Sequence, residues 1–220
     1  MATTATDTLL SDSFHADVAA CNGTPADAAR WYDRLIQHYT EPQRHYHTTT
    51  HLTAMLHCAT QHNPAIPDPL TLRLAIYFHD IVYNPQRHDN EAESVRLFNV
   101  FAVDVGLDTV IATQVRHYID CTVSHTVPVE SVENVSLCYF LDFDLEVLSR
   151  SEEAYDVYAA QIALEYAHVS RDAYHSGRSA VLQKFLQRDR LYFTEAFREA
   201  HEAQARRNLV REIAALSSAT

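Results

Sequence analysis

Apolar residues recur every three to four positions along almost the whole of this chain, the spacing that lines one face of an α-helix. Trp31, Leu35 and Tyr39 share such a face, and Pro25 suits an early helical position, so a helix is predicted over 25–39. A fainter version of the pattern covers 7–20. Thr40-Glu41-Pro42 breaks the chain, and a new helix is expected from near Thr48 to His62 through Leu52, Met55, Leu56 and Ala59. Asn63-Pro64 and Pro67-Asp68-Pro69 mark a loop. The helix that follows carries Leu70, Leu72, Leu74, Ile76 and Phe78 into His79-Asp80; apolar all round, it belongs at the centre of the fold. Segment 84–90 is polar, and Asp89 or Asn90 caps a helix expected over 91–105 and ended by Gly106. Further helices are expected over 107–119, 135–150, 151–168, 172–188 and 193–216, with an irregular loop over 120–134. No stretch alternates for long as a sheet would. The pattern predicts an all-α helical bundle: an N-terminal extension over 1–24, then a single helical domain over 25–220.

Composition narrows this picture. Only 3 glycines and 7 prolines in 220 residues leave few hairpin turns, while 47% hydrophobic residues can bury a sizeable core. The formal net charge of -12 disfavours polymeric nucleic acid and anionic membrane as partners, but not a small phosphorylated ligand in a local positive pocket. Lys184 is the only lysine, and the arginines that supply the other positive charges suit bidentate phosphate contacts. Cys21, Cys58, Cys121 and Cys138 show no CxxC spacing and read as reduced thiols. The N-terminus lacks a charged segment followed by an apolar one, so no signal peptide or membrane span is expected and the location expected is cytoplasmic. The pattern leaves the oligomeric state open.

The candidate chemistry lies in two histidine-rich segments about 30 residues apart, Arg44–Leu52 and Leu74–Tyr83. Imidazole and carboxylate bind divalent transition metals. His47 and His51 are four apart and would share one face if both were helical. His79-Asp80 sits between Tyr77-Phe78 and Ile81-Val82, where an unpartnered carboxylate would cost several kcal/mol, on the order of a lost buried charge pair. Asp142 and Asp144 stand in another apolar run; about 200° apart around a helix, they can hardly both bind one ion, and the pattern does not choose between them.

In this order, His … His-Asp … Asp on consecutive helices, the chain resembles the HD superfamily of metal-dependent phosphohydrolases. It is most similar to one branch of predicted phosphohydrolases within it. The residues that carry the resemblance are Tyr39-Thr-Glu41-Pro42-Gln-Arg44-His-Tyr46-His47-Thr-Thr-Thr-His51, then Phe78-His79-Asp80-Ile-Val82-Tyr83, Asp89-Asn90-Glu91-Ala-Glu-Ser94 and Leu141-Asp142-Phe-Asp144-Leu145. Glu165-Tyr166, Arg178-Ser-Ala180-Val-Leu182, Arg190-Leu-Tyr192 and Ala205-Arg-Arg-Asn208-Leu209 extend it to residues 25–216. The resemblance implies an HD-like bundle in which His79 and Asp80 bind metal, with His47 as the first ligand and Asp142 or Asp144 as the last. His51, one turn on from His47, would be a substitute ligand or a substrate contact. The usual His-Asp-Ile-Gly is here His-Asp-Ile-Val-Tyr, so the turn after the doublet departs from the pattern. His117 and His125 lie where two-metal members carry extra histidines, without the fixed spacing of a dinuclear site.

The expected activity is therefore hydrolysis of a small phosphorylated metabolite or nucleotide, assisted by a divalent metal drawn from Mn, Fe, Ni, Co, Zn and Mg, with one or two ions left open. Glu91 is the candidate to position or deprotonate the attacking water. Arg44, Arg87 and Arg116, with His51 and His117, are candidate substrate contacts. The rival readings are a di-iron oxygenase on the same fold and a non-catalytic binding module that keeps the metal as a staple.

Overall fold

A computed structural model describes residues 5–218 and contains, among them, ten α-helices and no strand. The helices are α1 (Ala5–Ala20), α2 (Pro25–Tyr39), α3 (Thr49–His62), α4 (Pro69–Phe78), α5 (Asn90–Asp104), α6 (Thr109–Thr122), α7 (Val135–Asp144), α8 (Glu152–Glu165), α9 (Arg171–Leu186) and α10 (Glu195–Ser218). Their starts are fixed by short polar side chains. Thr24 and Asp27 form a reciprocal capping box ahead of Pro25, and Thr48, Asp68, Asp108, Ser151 and Ser170 each accept a main-chain N–H in the first turn. Gly106, at φ +64°, supplies the left-handed residue that ends α5. Among the described residues no helix is long and apolar enough to cross a membrane.

The chain gathers into two compact units, residues 1–140 and 141–220, and the division falls inside α7. In the first unit α4 is the hub: Thr71, Leu72 and every residue from Leu74 to Phe78 are buried, as its all-round apolar sequence requires. It packs against α1, α3, α5 and α6. In the same unit α1 packs on α2, α3 and α4 and buries Leu10, Phe14 and Val18. Trp31, Phe78, Phe98 and Phe101 interlock nearby in edge-on and tilted contacts. A buried polar knot joins α1 to α4, where Asp17 accepts both a bidentate pair of bonds from Arg73 and the hydroxyl of Tyr77.

The second unit is built on α10, which packs against α8, α9 and the 3-10 turn Glu146–Ser149. Asn208, fully buried, donates to the carbonyls of Leu148 and Arg150, and Glu202 accepts from the amides of Leu191 and Tyr192. The helix expected over 135–150 stops at Asp144 and continues as that 3-10 turn.

Candidate metal centre

The centre is built by the loop that leads into α3, by α3 itself and by the end of α4. Thr48 caps α3, so the helix begins at Thr49 and His47 stands before it. The two histidines therefore do not share a helical face; His51 lies on the first turn of α3 while His47 is carried by the loop. His79 is the residue that closes α4, its amide bonding Ala75 O at 2.9 Å. His51 and His79 are buried, at 4% and 1% exposure. His51 Nε2 lies 3.3 Å from His79 Nε2, His79 Nε2 lies 3.1 Å from Asp80 Oδ2, and His47 Nε2 lies 3.8 Å from the same Asp80 oxygen. His47 stacks on Tyr83 with ring centroids 4.3 Å apart.

Arg44 holds these segments together. Its side chain is shut off from solvent and donates to the carbonyls of His47 (3.0 Å), Asp80 (2.8 Å) and Ile81 (2.9 Å), while Nε donates to Glu41 (3.2 Å). The guanidinium also lies over the rings of Tyr39 and Tyr83. Arg44, a candidate substrate contact, spends these donors on Glu41 and on main-chain oxygens of the two histidine-bearing segments. The chain after the doublet is clasped in turn to α5: Val82 N donates to Ser94 Oγ, and Asn84 and Asn90 exchange two bonds. That clasp puts Glu91, half-buried in the first turn of α5, on the element tied to residues 82–84.

The start of α7 is fixed within the first unit. Asn134 accepts from Leu137 N and Tyr118 Oη, Ser136 Oγ accepts from Asp68 N, and Phe140 meets His79 edge-on with ring centroids 5.8 Å apart. One ligand atom each of His51, His79 and Asp144 lies within 4.8 Å of the other two, a group that could hold a metal ion. Asp142 faces another way: Oδ1 accepts from Phe193 N at 2.7 Å, and Oδ2 from Thr194 N at 2.8 Å and Thr194 Oγ1 at 2.7 Å. Burial nonetheless pushes its pKa up to about 6.

The remaining candidates have partners of other kinds. Arg87, exposed, pairs with Asp89 and Glu93; Arg116 bonds Asn99 and Thr113; His117 bonds Ser131 and lies 3.9 Å from the Cys121 sulfur. His125 occupies a left-handed turn position at φ 48°. A residue not singled out for a role on sequence grounds is Tyr46, whose hydroxyl lies 3.1 Å from His51 Nδ1. Its place directly before His47 was the available signal. No family model, no curated protein and no solved structure matches this chain.

Proposed function

We propose that this protein is a metal-dependent phosphohydrolase of the HD superfamily, acting on a small phosphorylated metabolite or nucleotide. The observation that carries the metal site is the pinning of His79. Its Nδ1 lies 2.9 Å from Ile76 O, and a carbonyl only accepts, so Nδ1 carries the hydrogen and Nε2 of the neutral ring is a lone pair. That lone pair faces the Asp80 carboxylate at 3.1 Å and His51 Nε2 at 3.3 Å. The Asp80 contact sets a lone pair against a negative oxygen and asks for positive charge between them. Two ligands about 2.1 Å from one ion, at right or tetrahedral angles, stand about 3.0–3.4 Å apart. The observed separations have that size, and two imidazoles with carboxylate oxygen form a donor set suited to divalent Zn, Fe, Mn, Co or Ni.

His79, Asp80, His51 and Asp144 would hold the ion, with His47 beside Asp80. A divalent ion supplies Lewis acidity toward a phosphoryl oxygen and makes a coordinated water more acidic. The protein's own residues do the rest. Arg44 keeps the main chain of both ligand-bearing segments in register, and Ile76 O fixes the His79 tautomer, as carbonyl partners of ligating histidines do. Glu91 is assigned the base that orients the attacking water and takes its proton. Glu91→Gln should keep metal binding and lower kcat on the order of 10²–10⁴-fold. Unchanged turnover would remove it from the mechanism.

The test is reconstitution with Mn²⁺, Co²⁺ or Zn²⁺, followed by a panel of phosphomonoesters, nucleotides and cyclic nucleotides. Stoichiometric metal with hydrolysis of at least one member of the panel, both lost in His79→Ala, is the expected result. Metal binding without turnover on any member would replace the hydrolase with a metal-stapled binding module. Absence of metal binding would remove the site.

A further inference from the structure

The second unit holds a cavity of about 280 Å³ between α8, α9 and α10, at the small end of the range for ligand sites, and none of the metal-centre residues lines it. Two nitrogens on side chains that line it, His175 Nδ1 and Arg211 Nε, are buried without a hydrogen-bond partner. Such orphans are rare in folded proteins, and each calls for a physical account. Arg211 satisfies its other nitrogens: Nη1 meets Asp156 Oδ1 at 2.7 Å and Nη2 donates to the carbonyl of Glu152 at 3.2 Å. Its Nε lies 3.9 Å from Glu152 Oε2, beyond hydrogen-bond reach. Arg171, the first residue of α9, lines the same cavity, and its guanidinium has no hydrogen bond or ion pair among the described residues.

The charges around the cavity set what it can take. Its two carboxylates are already engaged. Asp156 is held by Arg211, and Glu212 accepts from Arg178 Nε at 2.8 Å, Arg178 Nη2 at 3.2 Å and the Tyr155 hydroxyl. Asp172, next to Arg171 in the chain, lines a separate cleft. Arg171 is therefore the cation left over, and it calls for a single negative charge. The rest of the lining includes the apolar side chains of Ala159, Ala163 and Leu216. We propose that this cavity binds a small monocarboxylate with an apolar body. The carboxylate pairs with Arg171 and accepts from Arg211 Nε–H and from His175 in the tautomer with its hydrogen on Nδ1, the two nitrogens that the protein leaves without an acceptor. The apolar body lies against Ala159, Ala163 and Leu216. A dianion such as phosphate is opposed by Asp156 and Glu212 and has nothing to set against the alanines. The inference does not depend on the proposed hydrolase activity.

Titration calorimetry of the full-length protein with benzoate tests this, with benzamide as the neutral isostere and inorganic phosphate as an anion without an apolar body. Benzoate is expected to bind one equivalent, about tenfold or more tighter than either of the others, because a charge-assisted pair with guanidinium is worth at least that. Arg171→Gln should weaken benzoate by about the same factor and leave benzamide and the melting temperature unchanged, since Arg171 is exposed and holds no other group in place. Ala163→Leu, which narrows the cavity, should weaken benzoate and benzamide alike. A crystal structure of wild-type protein with benzoate should place it between α8, α9 and α10, a result that needs no variant to fold. Absence of saturable benzoate binding, wild-type affinity for benzoate in Arg171→Gln, phosphate bound as tightly as benzoate, or benzoate found only elsewhere on the molecule would each overturn the proposal.

Discussion

Asp142 turns both carboxylate oxygens toward the chain entering α10, while Asp144, two residues on, takes part in the His51–His79 group. For Asp142, burial outweighs its hydrogen-bond donors, and the folded protein holds its proton up to about pH 6. The unfolded chain releases that proton near the ordinary carboxylate value. The stabilising contribution is therefore complete below that value and is lost as pH rises through about 6. Relative to Asp142→Asn, the wild type should be more stable at about pH 4 than at about pH 7, by a few kcal/mol at most for a shift of this order. Urea unfolding of both proteins at the two pH values measures it, and an equal gap at both would contradict it. The sequence could show that the two aspartates point apart, but not which way α7 is turned. That depends on Asn134, Ser136 and Phe140 meeting residues far away in the chain. His79-Asp80 was legible because charge inside an apolar run is a local anomaly. Tyr46 was not, because a tyrosine beside histidines is unremarkable until a distance is known.

At the scale of elements, helix existence was readable throughout and helix ends only where a cap spells them. Thr24-Pro25 and Thr48 mark the starts of α2 and α3. The end of α7 has no such mark. Leu145 and Leu148 continue the apolar spacing through the 3-10 turn, whose three residues per turn keep positions three apart on one side, so the pattern cannot tell it from another helical turn. The start of α3 has the larger functional effect: with His47 outside the helix, its placement depends on a loop held by Arg44 rather than on helical phase. The capping box of α2 provides a check on how much one cap contributes. Thr24→Ala should cost about 1 kcal/mol, read as a lower denaturant midpoint with unchanged slope. No loss would mean that neighbouring packing alone defines the start of α2.

For the molecule as a whole, binding of an ion to the native state alone should add stability by mass action, about 2.7 kcal/mol when free metal is a hundredfold above Kd. Thermal unfolding with and without Zn²⁺ should show this in the wild type and not in His79→Ala; equal gains in both would place the ion elsewhere. Helical periodicity reports which faces are buried and not which helices they are buried against, so the packing of α4 on α1, α3, α5 and α6 was not legible in it.

The Arg44 clasp has one more consequence. A guanidinium bonded to the carbonyls of His47, Asp80 and Ile81 shapes the cradle with groups that belong to the fold and not to the ion. Chelation should then empty the cradle without melting it, in contrast to domains that collapse when their metal is removed. A vessel that keeps its form can be refilled. Because imidazole and carboxylate rank divalent ions mainly by the Irving–Williams order, the cargo would be decided by supply. The metal recovered with the purified protein would record the medium in which the cells grew, and the ion that supports turnover would have to be found by exchange.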